Sequence, residues 1–145
     1  MLIKIKKLSP GAKIPEIQTS GSAGADLHAC IDKEIIVRPN ETIKVSTGIA
    51  MDIPSGYAGF IYARSGLATK KGLAPANKVG VIDSDYRGEI IVALHNHSSE
   101  VATISPSERI AQIVIHPVNI LVFEEADNLN ETERGGNGFG STGVQ

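Results

Sequence analysis

Apolar and polar residues alternate along much of the chain, and the longest run of alternation is residues 43 to 53, where Ile43, Val45, Thr47, Ile49, Met51 and Ile53 fall on one side. A period of two marks a strand with one buried face. The same pattern, bounded by Gly, Pro, Asn or Ser, predicts shorter strands at Ile3 to Lys7, Glu34 to Val37, Gly59 to Tyr62, Glu89 to Asn96, Val101 to Ile104, Arg109 to His116 and Val118 to Glu124. One brief helix is expected over Gly66 to Lys71, with Ser65 as its cap and Gly72 closing it. About eight to ten short strands in one small domain predict an all-β fold, a jelly-roll-like β-barrel, because such closure limits the exposed edges that recruit other chains.

Composition supports this picture and bounds the function. With 145 residues the chain fits one compact unit. Its 19 Ile and 10 Val against 8 Leu favour pleated sheet over helix. The 14 Lys+Arg and 16 Asp+Glu leave a net charge of -2, so no overall basic field exists to hold a nucleic-acid backbone, and nucleic acid is not an expected partner. No apolar run approaches the ~20 residues that span a bilayer, so no membrane partner is expected either. Cys30 is the one cysteine, and the opening residues alternate charge with apolar side chains instead of forming a continuous apolar stretch. Both features imply a reducing, cytoplasmic setting.

The end of the chain changes character. Residues 1–123 read as the β-rich domain, and 124–145 as an acidic linker followed by a mobile arm that holds five glycines between Arg134 and Gly143. A frayed tail is the plain reading of such composition. Phe139 and Arg134 argue for more, because an aromatic face and a guanidinium among glycines supply stacking and an anion clamp.

Three stretches carry residues suited to chemistry. Asp26 lies among small residues in Gly21 to Leu27, where a backbone or a hydrated metal ion can approach, although an Asp there also suits a turn. Asp83 and Asp85 flank Ser84 between two apolar segments and read as a hairpin tip, either ordinary turn residues or a base presented by a rigid scaffold. Arg64-Ser65-Gly66 offers a guanidinium, a hydroxyl and an amide, either an anion site or a plain helix cap. His95 and His97 fall on one strand face and could ligate a metal, but no third ligand stands nearby. Cys30 has no evident partner base and reads as a small buried hydrophobe. Neither a P-loop nor a dinucleotide-binding glycine motif is present.

Taken together, Ala23-Gly24-Ala25-Asp26-Leu27, Ala63-Arg64-Ser65-Gly66-Leu67, Asn77 through Gly88, Glu108-Arg109-Ile110-Ala111-Gln112 and Arg134 through Gly143 resemble, in order, the five motifs of the trimeric deoxyuridine triphosphate nucleotidohydrolases (dUTPases). The resemblance covers nearly the whole chain. It implies a jelly-roll subunit and a homotrimer with shared active sites, hydrolysing dUTP to dUMP and pyrophosphate, which limits uracil incorporation into DNA and supplies dUMP for dTMP synthesis. It also implies Mg2+ as cofactor, held mainly by substrate phosphates. By the same resemblance, Asp83 activates the attacking water, while the uracil lies on a hairpin around Asn77 to Tyr86, read by Asn77 and backbone groups at Val81 and Ile82, and Tyr86 packs on the deoxyribose. Arg64, Ser65, Gly66 and Gln112 hold the phosphate chain. The arm closes over the ligand with Phe139 on the base and Arg134, Ser141 and Thr142 toward the phosphates, and Gly140 is also substrate-binding. Asp26 either holds the metal's water shell or orders its loop. A dCTP deaminase of the same superfamily shares an Arg-Ser element, but Asp83-Ser84-Asp85-Tyr86 favours the hydrolase.

Overall fold

The computed structural model describes residues 1–136; Phe139, Gly140, Ser141 and Thr142 lie outside the described residues. Eleven strands and one helix form among the described residues. A four-stranded sheet runs in the order β2 (Ala25–His28), β11 (Arg109–Pro117), β6 (Tyr57–Tyr62) and β8 (Gly80–Ile82). A three-stranded sheet places β9 (Ile91–Asn96) between β4 (Thr42–Ser46) and β7 (Leu73–Pro75). Two strand pairs, β1 (Lys4–Lys7) with β5 (Ile49–Asp52) and β3 (Ile35–Val37) with β10 (Ala102–Ile104), complete the set. Every pairing is antiparallel. The fold is all-β and jelly-roll-like, with its strands divided among short sheets and no closed barrel among the described residues.

The core explains the alternation. Leu27, Ile61 and Ile113 from the four-stranded sheet meet Val45, Val92 and Leu94 from the three-stranded one, with Ile49, Ile53, Ile90, Ile104 and Ile110 filling between. Full burial of each such side chain stabilises by roughly 1.5–3 kcal/mol.

Several expectations need correction. Residues 43 to 53 are not one strand: β4 and β5 join different sheets and are separated at Gly48, whose φ is +68°. A Cβ there would lie 2.7 Å from Cys30 Sγ and 2.8 Å from the Ala12 methyl, so the chain bends where only glycine fits. Val118 to Glu124 forms no strand and is exposed: the Val118 amide donates to the Gly56 carbonyl at 2.8 Å, and beyond it no strand among the described residues pairs with the segment. Asp83 does not sit on a hairpin tip. β8 pairs with β6 while β9 belongs to the other sheet, so residues 83–90 cross between sheets, and the same split makes the Asn77 segment a corner rather than a hairpin. Short strands β2 and β7 were not foreseen. The helix α1 (Ser65–Lys71) ends at Gly72 as expected, but its N-cap is Arg64, in extended conformation, and Ser65 is already helical.

Candidate functional site

The register of the four-stranded sheet builds a cleft. Gln112 of β11 stands opposite Asp26 of β2 on one side and Tyr62 of β6 on the other. Directly opposed residues share a face, and so do residues two apart, which brings Gly24, Asp26, Tyr62, Arg64, Gln112 and Val114 to one side while Leu27, Ile61 and Ile113 enter the core. The resulting cleft has a volume of about 530 Å³ and includes Ser65, Gly66 and Arg109. Gly24 is needed for close approach, since a Cβ there would lie 2.9 Å from Gln112 Oε1. The Gln112 amide donates to the Ala63 carbonyl at 2.9 Å and so fixes the chain just before Arg64.

Asp26 is the electrostatic centre of this cleft. It is buried, and its two oxygens accept from two different guanidiniums: Arg64 Nε at 2.7 Å and Arg109 Nη1 at 3.2 Å. One carboxylate therefore offsets part of two positive charges, and the remaining N–H donors with the Ser65 hydroxyl and first-turn amides suit a larger anion. Arg109 was missed as a site residue, although it stands in the Glu108 to Gln112 block. A register shift between Arg109 and Ala111 breaks the alternation that would have flagged it. Neighbouring His28 has its pKa lowered, chiefly by burial and then by Lys13, with Arg109 and Arg64 adding to the effect and Asp26 opposing it. Its Nδ1 is buried without a hydrogen-bond partner among the described residues.

A second set of residues lies on the opposite face of β6, where Ile61 rather than Tyr62 points. Where β7 and β8 diverge into different sheets, Asn77, Gly80, Val81 and Ile82 line a pocket of about 200 Å³ floored by Ile61 and Val92. Val81, Ile82, Asp83, Tyr86 and Glu89 line a neighbouring hollow of similar size. The loop between them is braced: the Tyr86 amide donates to the Asp83 carbonyl at 3.2 Å, the Tyr86 hydroxyl to the Glu89 carbonyl at 2.9 Å, and Arg87 to Asp52 at 2.7 Å and to the Ser84 carbonyl at 2.6 Å. Asp83 is exposed on this frame. Arg134 is exposed on the segment after β11. Cys30 is half-buried and packs against the core as a hydrophobe does.

The structure thus separates the expected residues into two groups. Arg64, Ser65, Gly66, Gln112 and Asp26 come together, as do Asn77, Val81, Ile82, Asp83 and Tyr86. Asp83 follows the residue paired with Gly59, whereas Arg64 lies beyond Tyr62, so about six strand residues, or roughly 20 Å, separate Asp83 from Arg64 within one chain.

An all-β scaffold with a guanidinium-lined cleft and a separate small-ring pocket has the donor chemistry of a protein that handles phosphorylated ligands. The family model described as dUTPase matches residues 11–143. A deoxyuridine 5'-triphosphate nucleotidohydrolase from Desulfitobacterium hafniense (strain DSM 10664 / DCB-2) is 53% identical over 133 residues, covering 91% of this chain and 88% of that one. The one from Nautilia profundicola is 51% identical over 143 residues, covering 99% of each. Among solved structures, the dUTPase of Staphylococcus bacteriophage 80alpha with dUpNHpp superposes with a TM-score of 0.85 at 27% identity over 99% of each chain. The chain belongs to the dUTPase family.

Proposed function

We propose that this chain hydrolyses dUTP to dUMP and pyrophosphate at a site assembled from both groups of residues, contributed by different copies of the chain in a homotrimer. The reaction withholds dUTP from DNA synthesis and supplies dUMP for dTMP synthesis. The observation that carries the reading is that the paired-guanidinium cleft and the base-sized pocket open on opposite faces of β6 in one chain, with Tyr62 lining the first and its neighbour Ile61 the second. A single nucleotide needs both, and a second copy brings them together.

In this reading Asn77 and the backbone at Val81 and Ile82 pair with the uracil edge. Cytosine reverses that donor and acceptor pattern and would leave polar groups unpaired, which discriminates strongly. Tyr86, fixed through its hydroxyl, packs against the deoxyribose and leaves little space for a 2′-hydroxyl. Arg64, Ser65, Gly66 and Gln112 of another copy take the phosphates. Asp83 orients a water and accepts its proton as the oxygen attacks the α-phosphorus, and pyrophosphate leaves. A carboxylate is a weak base, so positioning and charge stabilisation supply most of the acceleration.

Mg2+ enters as part of the substrate, chelated by the triphosphate. No group of three His, Cys, Asp or Glu side chains is placed to cage an ion among the described residues. Both Asp26 oxygens already accept from guanidiniums, so Asp26 reaches the ion only through its water shell or serves by ordering Arg64 and Arg109. Arg134 with Phe139, Gly140, Ser141 and Thr142 closes over the bound nucleotide. The apolar segment Ile120 to Phe123 favours assembly, since Ile120 is 85% and Phe123 91% exposed in one chain. No helix among the described residues is long and apolar enough to cross a membrane, and the enzyme works in the cytoplasm on free nucleotide.

The test is direct. Incubated with Mg2+, the protein should release pyrophosphate from dUTP and no ammonia from dCTP. Ammonia from dCTP would identify a deaminase, and neither product would leave a binding module.

A further inference from the structure

His95 and His97 take no part in the proposed reaction, yet their placement is organised. His95 stands on the outward side of β9, directly opposite Thr42 of β4, and its Nδ1 lies 2.8 Å from the Thr42 hydroxyl. His97 follows the strand by one residue, and its amide donates to the Gly72 carbonyl at 2.8 Å, which ties it to the end of α1. Between them Asn96 is fully buried, and its amide is satisfied on both sides: Nδ2 donates to the Val37 carbonyl at 3.0 Å and the Glu100 carbonyl at 2.8 Å, while Oδ1 accepts from the amide and hydroxyl of Ser98. The backbone that carries both imidazoles is thereby fixed.

The two ring centres are 4.4 Å apart, with planes at 62°. Two imidazoles bound to one ion at ~2.0–2.1 Å, with each ring centre about 1.1 Å beyond its nitrogen and an angle at the ion of roughly 90–110°, have centres roughly 4.4–5.2 Å apart. The rings already stand at the near edge of that range. Engagement of His95 Nδ1 by Thr42 leaves Nε2 as the ligand, the arrangement in which an outer hydrogen bond sets tautomer and orientation.

We propose that His95 and His97 form a two-point chelate for a divalent transition-metal ion of the Zn2+, Ni2+ or Cu2+ class, with Thr42 as its outer-shell support. No third protein ligand is grouped with them among the described residues, so water completes the coordination and the ion exchanges readily. The charge of Lys78 acts on His97 and opposes any cation. Only ions that gain strongly from imidazole nitrogen overcome it, and Mg2+ does not.

Zn2+ alone and Ni2+ alone, titrated calorimetrically into the full chain in a buffer that does not bind metal, should each bind at one ion per chain. His95→Ala and His97→Ala should each weaken binding at least tenfold, and Thr42→Val about tenfold. His116→Ala, whose imidazole packs against Phe60, should leave it unchanged. Zn2+ should also raise the Tm of the parent and not of the His95→Ala/His97→Ala variant, which folds because neither ring is in the core. Absence of binding, binding that survives both histidine substitutions, or Thr42→Val binding as the parent does would overturn the proposal.

Discussion

Asp83 is exposed on a loop whose shape is held by other residues, so its carboxylate can be altered without disturbing the frame. Asp83→Asn keeps the volume and loses the acceptor that orients and deprotonates water. Turnover should fall by about 10²-fold or more while dUTP binding persists. Steady-state rates and equilibrium binding of a non-hydrolysable analogue check this, and turnover within tenfold of the parent would contradict the assignment. His28 makes a different prediction. Its folded pKa lies below the unfolded value of 6.5, so as pH falls the unfolded chain takes up the proton first, and stability is lost from about pH 6.5 downward through the folded pKa. His28→Gln should therefore flatten the drop in Tm between pH 7.5 and pH 5 relative to the parent, and an unchanged slope would exclude His28 as its cause. Residue identity was legible here only in part. Asp26 was visible as a carboxylate among small residues, but its partners Arg64 and Arg109 are 38 and 83 positions away and are joined to it by sheet register that alternation alone does not fix.

Among the strands, alternation located most of the framework because one face of each packs on the core. It failed where the chain changes sheets. Ile43 to Ile53 alternates without interruption, yet Gly48 divides it, and the signal was the glycine itself. Gly48→Ala forces a Cβ against Cys30 and Ala12 in a backbone conformation that alanine resists. The cost should be roughly 1–3 kcal/mol, read from urea unfolding. A loss below about 0.5 kcal/mol, the usual range of a surface change, would mean the bend relaxes easily. The opposite error occurred at Val118 to Glu124. Its apolar character is that of a strand, but pairing needs a partner, and no strand among the described residues pairs with it. β2 and β7 escaped notice because three or four residues of mixed character give too short a period to read.

For the whole molecule, the proposed division of the site among three copies makes a quantitative prediction. Asp83 would come from one chain, Arg64 and Gln112 from a second, and the closing arm from a third. An Asp83→Asn chain and a chain truncated before Arg134 should each be nearly inactive alone. The truncation should lower kcat far more than it raises KM, because closure excludes water from the phosphates and acts chiefly in the transition state. Mixed in equal amounts and reassembled at random, a site is intact when its Asp83 comes from the truncated chain and its arm from the Asp83→Asn chain. Each condition is met half the time, so roughly a quarter of sites recover. If the arm instead covered the Asp83 of its own chain, every site would lack one part and mixing would restore nothing. Activity of the reassembled mixture, with sedimentation confirming trimers, distinguishes the two arrangements.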